Sequence, residues 1–130
     1  MRVALRVEVG SLRGLREGLP NLMRLFSEFQ VRATFFFPFG RDYAGRTPLA
    51  TWRQRKRLGV AALTYGTLAV APSLAGVAAQ VMAVARGNGH EVGVFGYSPL
   101  RWRDRLARAD EVWIRRQCEA LWRALDAAGI

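Results

Sequence analysis

The sequence has little of what builds a metal centre or a disulfide framework. It contains one cysteine, Cys118, and one histidine, His90. A lone cysteine closes no internal disulfide and excludes every multi-cysteine zinc site, which points to a reducing compartment. Zinc takes three or four converging nitrogen, sulfur or oxygen ligands, and beyond one histidine and one helix-borne cysteine this chain offers only carboxylates. Acids are scarce too: 10 Asp and Glu stand against 20 Lys and Arg, a formal net charge of +10. Of those cations only Lys56 is not arginine. Partners should therefore be anionic, and arginine's planar fork suits phosphate and carboxylate. The opening "MRVALRVEVG" is too interrupted by arginine to be a secretory signal. The expected location is the cytoplasm or, peripherally, the inner face of the membrane.

What is present is a chain of 130 residues, 51% hydrophobic, enough for one domain with a core. "RVALRVEV" at 2–9 alternates apolar and polar residues at the period of a half-buried strand. A helix is expected from Gly18, with Pro20 in its first turn and Leu19, Leu22, Met23, Phe26 and Phe29 on one side. "VRATFFF" at 31–37 reads as a buried strand stopped by Pro38 and Gly40. Residues 38–57 read as a polar, arginine-rich loop. From Leu58 to Ala85 there is no charge at all, a length that could span a bilayer. Its Ala and Gly content and central Pro72 instead predict a helical insert at 58–86, in two pieces of about 58–70 and 73–86, buried or lying on a membrane surface. A third strand is expected near 91–95, then an arginine- and tryptophan-rich loop. The final helix runs from an Asp110 N-cap, with Ile114, Cys118, Leu121 and Leu125 sharing a face. The plan is an α/β fold of parallel strands.

Such sheets bind ligands at the carboxyl ends of their strands, here 8–13, 37–42 and 95–103. His90 precedes the third strand, at the opposite edge, where a backbone-bonding role suits it better than ligation. Glu8 is the one carboxylate at the end of strand one and the candidate base. "GSLRGLREG" lacks both the Walker lysine and the G-x-G-x-x-G spacing, but Arg13 and Arg16 could grip a phosphate near a helix start. Arg41 opens the basic 41–57 segment. Trp102 and Arg103, in "RWRDRLAR", suit a phospholipid headgroup or a nucleic-acid backbone. No recognised nucleic-acid fold accompanies them, so lipid ranks above nucleic acid.

Taken together, "LRVEVGSLRGLREGLPNLMRLFSEFQVRATFFFPFGRDYAGR", "RLGVAALTYGTLAVAP" and "HEVG" resemble, in the same order, the N-terminal half of NodB-type polysaccharide deacetylases of the ArnD-like branch. The resemblance implies a single truncated domain over 1–130, a partial (half) β/α barrel. It implies a family activity of metal-dependent removal of formyl or acetyl groups from sugar amines. The family's metal-binding and base positions fall here on Glu8, Gly10, Phe95 and Pro99, of which only Glu8 keeps a carboxylate. The expectation is no metal and no other cofactor, and a non-catalytic partner or scaffold subunit of an active lipid-linked sugar deformylase. Arg13, Arg16, Arg41, Trp102 and Arg103 would contact anionic lipid or sugar phosphate. An uncovered sheet edge implies pairing with a full-length deacetylase or with itself. The alternatives are an active deformylase with an unusual or shared site, and a basic membrane-surface or nucleic-acid module.

Overall fold

Three short strands pair side by side in a computed structural model that describes residues 4–130. They are β1 (Arg6–Glu8), β2 (Thr34–Phe37) and β3 (Glu91–Val94), all parallel, in the order β1-β2-β3. The expected first strand is thus present in part, and its positions 2 and 3 lie outside the described residues. The helices are α1 (Leu19–Glu28), α2 (Pro48–Arg53), α3 (Arg55–Leu58), α4 (Ala75–Gly87), α5 (Pro99–Arg105) and α6 (Glu111–Ala127). Parallel neighbours need long crossovers, which α1 supplies between β1 and β2 and the 38–90 segment with α4 supplies between β2 and β3.

Register decides which side chains meet. Val7, Phe35 and Val92 align across the sheet on one face, as do Phe37 and Val94. Phe35 and Phe37 are fully buried there. Leu19 and Met23 of α1 join them, as do Ala78, Met82 and Ala85 of α4 and Leu125 of α6. Ala78 and Ala85 have no exposed surface, and their small size lets α4 lie close against the sheet. The opposite face carries Arg6 and Glu8, Thr34 and Phe36, Glu91 and Gly93, and none of these joins the core. Gly93 leaves room for the Phe36 ring, which a Cβ would meet at 2.9 Å. The Arg6 guanidinium lies over that ring, 4.7 Å from its centroid.

The helix after β1 begins earlier than its local sequence suggests. Residues 12 and 13 are already helical, and a π-helical turn, Gly14–Gly18, leads into α1. Two orphan N–H groups at this start are satisfied: Ser11 Oγ accepts from Gly14 N at 3.1 Å, and Asp42 Oδ2 accepts from Leu12 N at 2.9 Å. The second cap comes from a residue 30 positions away, so no local pattern announces it.

The segment between β2 and α4 differs most from expectation. Residues 38–57 hold α2 and α3 rather than only loop, and 58–70 hold no α-helix beyond the end of α3. Gly59 (φ +84°) and Gly66 (φ +78°) take left-handed conformations that interrupt a helix. What forms instead is a 3-10 turn, Val60–Thr64, and a tight turn in which the Thr64 carbonyl accepts from Ala69 N at 2.9 Å. The second expected piece is present as α4. No helix among the described residues is long and apolar enough to cross a membrane. Residues 99–108, expected as loop, form α5 and a 3-10 turn. In α6 the Asp110 carboxylate caps Trp113 N at 2.7 Å, as the sequence implies. The inward face is Ile114, Gln117, Leu121 and Leu125, and Cys118 is exposed, one helical step off it.

Candidate functional site

The carboxyl ends of the strands open onto a cleft of about 570 Å³. Gly10, just beyond β1, Asp42, beyond β2, and Leu100 and Arg103 of α5, beyond β3, all line it. The far wall comes from the segment after Asp42, with Thr47, Thr51, Gln54, Lys56 and Arg57. A sheet edge, a helix start and a basic wall therefore converge at the position where parallel α/β folds bind ligands.

Asp42 organises this site. It is 4% exposed. Besides the bond from Leu12 N, its Oδ1 accepts from Ala44 N at 3.1 Å, and its own N–H donates to the Pro72 carbonyl at 2.9 Å. One side chain thus ties the loop after β2 to the helix after β1. Beside it the buried Thr51 hydroxyl donates to the Ala44 carbonyl, so the cleft floor is a hydrogen-bonded frame with two acidic side chains at its surface, Asp42 and Glu17.

The residues singled out from the sequence scatter around this cleft. Arg13 and Arg103 line it. Arg13 Nε donates to Glu17 at 2.7 Å and a terminal nitrogen donates to the Lys56 carbonyl at 3.0 Å, pinning the helix start to α3. Arg103 pairs with Asp104 at 2.9 Å. Arg16 faces a smaller adjoining hollow with Leu58 and Tyr65. Arg41 donates to the Ala71 carbonyl at 3.1 Å and holds the approach to α4. The Trp102 ring rests on Gly96, where a Cβ would stand 2.7 Å from it, and meets Trp113 edge-on at 5.5 Å. That packing against α6 gives Trp102 a structural task, and its indole N–H is buried without a partner.

Glu8 lies outside the cleft lining. It points to the open sheet face and pairs with Arg6 at 2.5 Å, with half of its side chain exposed. His90 stands at the amino end of β3, as its position in the sequence implies. Its Nδ1 accepts from Ala33 N at 3.4 Å and its ring meets Phe35 edge-on at 5.0 Å. Phe95 is half-buried just past β3, and Pro99 opens α5. Neither side chain carries a donor atom for a metal. Nothing lies within 4 Å of a Cβ built on Gly10. Among the described residues no three His, Cys, Asp or Glu side chains gather closely enough to hold a metal ion. The metal centre of the family that the sequence resembles does not fit these side chains.

Asp42, Lys56 and Arg57 were not singled out from the sequence. Asp42 had a readable signal: it is the only acid between Glu28 and Glu91, and it falls in the 37–42 window beyond a strand end. A solitary carboxylate in so basic a stretch has a structural or chemical task.

The class defined here is a parallel α/β protein with a basic cleft at the carboxyl edge of its sheet. No protein-family model matches the chain. It is 31% identical over 115 residues to a Shewanella sediminis protein named "Probable 4-deoxy-4-formamido-L-arabinose-phosphoundecaprenol deformylase ArnD". The match covers 78% of this chain and 37% of that protein, so the chain spans a little over a third of the relative's length. This similarity supports a distant relationship to the polysaccharide deacetylases over part of that relative.

Proposed function

We propose that the chain is a deacetylase-like protein with a partial β/α barrel, which binds an anionic carbohydrate without hydrolysing it and serves as a partner or scaffold subunit of an active lipid-linked sugar deformylase or deacetylase. The observation that carries this reading is the cleft itself. Its wall is basic and polar, with Lys56, Arg57, Arg13 and Arg103, a composition that suits a sugar phosphate. On the resemblance, the family's metal positions fall on Gly10, Phe95 and Pro99, whose side chains cannot ligate. Amide hydrolysis in such a family draws its rate from a metal that polarises the carbonyl and activates water. The chain's own residues can bind and orient: the cationic wall attracts phosphate, and the exposed Gln54 offers partners for sugar hydroxyls. They supply no converging ligand set and no histidine at the cleft to take a proton.

Isolation from the native cell, followed by mass spectrometry of the complex, tests the reading. A deformylase or deacetylase should copurify, and the pure chain with added Zn²⁺ should release no formate from a formamido-sugar phosphate above the buffer rate. A lone monomer in the cell extract overturns the partner role. Zinc-stimulated formate release that disappears in Asp42→Asn overturns the non-catalytic one.

A further inference from the structure

The segment that joins β2 to α4 is unusual in its surface. Residues 43–74 contain five cations, Arg46, Arg53, Arg55, Lys56 and Arg57, and no acid. The same segment carries the two most exposed large apolar side chains among the described residues, Leu68 at 90% and Val70 at 81%. Leu49, Trp52 and Val60 are also more than half exposed. From these residues we infer that 43–74 forms a docking surface for an anionic phospholipid bilayer. The inference does not rest on the deacetylase reading: Lys56 and Arg57 also line the cleft, but Arg46, Arg53, Arg55 and the exposed apolar residues lie outside its lining.

The exposure is built into the fold. Gly66, at φ +78°, turns the chain over the Tyr43 ring, which a Cβ there would meet at 2.8 Å. The turn is closed by Gly66 N to the Ala69 carbonyl at 2.8 Å and by Thr67 N to the Thr64 carbonyl at 3.1 Å. Gly45 seats the same stretch against 44–46, since a Cβ on it would lie 2.6 Å from the Leu63 and Tyr65 carbonyls. Leu68 is therefore raised at the tip of a stiff turn with nothing over it. Trp52 lies under the Arg55 guanidinium at 4.7 Å, a pairing suited to a headgroup layer, where indole and guanidinium meet both acyl chain and phosphate.

Charge complementarity selects the occupant. A surface of five cations without an acid repels a basic partner and attracts an anionic one. Of the anionic surfaces, a nucleic acid meets apolar side chains only by wedging them between bases or against a thymine methyl, whereas a bilayer takes up exposed leucine, valine and tryptophan together with the cations.

Flotation of the full chain with vesicles tests it. Binding should be strong to vesicles containing a third phosphatidylglycerol, weak to pure phosphatidylcholine, and reduced by 0.5 M salt. Leu68→Ser/Val70→Ser changes no charge and should weaken binding by roughly tenfold or more, from the apolar area no longer buried. Arg53→Glu/Arg55→Glu should weaken it by at least a similar factor, since each cation near an anionic surface accounts for about fivefold. Arg116→Glu/Arg123→Glu, the same charge change on α6, should leave binding within about threefold if the site is local. Four results would overturn the inference: no preference for phosphatidylglycerol, equal losses in the patch and α6 arginine pairs, undiminished binding after the Leu68/Val70 change, or tighter binding to a duplex DNA than to vesicles at equal salt, the last in favour of nucleic acid. Circular dichroism melts of each variant separate lost binding from lost fold.

Discussion

Asp42 and His90 are both buried polar residues that accept backbone N–H groups, and the sequence revealed only one of them. His90 could be read because its position before β3 already puts it at the edge away from any ligand. Asp42 carries a signal as the only acid between Glu28 and Glu91, but its role could not be read, because its partner Leu12 lies 30 residues earlier and the tie forms only when β1 and β2 have paired. Removing its carboxylate leaves the Leu12 and Ala44 N–H groups short of acceptors inside the protein, at about 1–3 kcal/mol for each group left unsatisfied. Asp42→Ala should therefore destabilise by about 2–4 kcal/mol, read as a lower urea midpoint at unchanged slope. Asp42→Asn keeps one acceptor oxygen and should lose less. A shift of the alanine variant within experimental error would show that the tie contributes nothing.

β1 was legible from its alternation, and β2 and β3 from β-branched and aromatic residues beside Gly and Pro stops, which have few other low-energy homes. α1 and α6 were legible from period and cap. The 58–70 stretch was not. Its alanines and leucines favour a helix, but a turn packed on Gly45 and Tyr43 wins, and those contacts are tertiary. The same limit applied at Gly14–Gly18, where a π-helical turn starts the helix ahead of the expected Gly18. Gly45 gives the sharpest test at this scale. Any side chain there collides with three backbone atoms of Leu63 and Tyr65, all within 2.7 Å of the added Cβ. Backbone cannot rotate aside, so Gly45→Ala should destabilise by about 1–3 kcal/mol. Gly10→Ala meets nothing within 4 Å and should be neutral or stabilising by up to about 1 kcal/mol, through a less flexible unfolded chain. Thermal melts of the two variants side by side decide this; equal midpoints would mean that the 58–70 stretch is not seated on Gly45.

At the scale of the whole molecule, parallel α/β architecture followed from the order of strands and helices, while the shape of the cleft and its basic wall did not, because both depend on how 43–58 folds back over the strand ends. The sheet is covered by α1 and α4 on one face and bears Arg6, Glu8 and Phe36 on the other, so much of the charge stays at the surface. Ten more cations than acids are relieved by four ion pairs among the described residues, all substantially exposed and each worth no more than about 1 kcal/mol. Repulsion among the remaining arginines should then outweigh attraction in the folded state, where they are closest together. Salt screens attraction and repulsion alike, and the repulsion, being the stronger of the two, is weakened more. Raising the salt from 10 mM to 150 mM shortens the Debye length from about 30 Å to about 8 Å, and the melting temperature should rise. Phosphate at equal ionic strength should raise it further than chloride does, because an anion that binds the cleft wall of Lys56, Arg57, Arg13 and Arg103 in the folded state alone adds its binding energy to folding. The excess should shrink in Lys56→Gln/Arg57→Gln, measured against its own melt in chloride. A melting temperature that falls with salt would mean that the four ion pairs dominate. A phosphate excess that survives the double substitution would put the anion elsewhere on the surface.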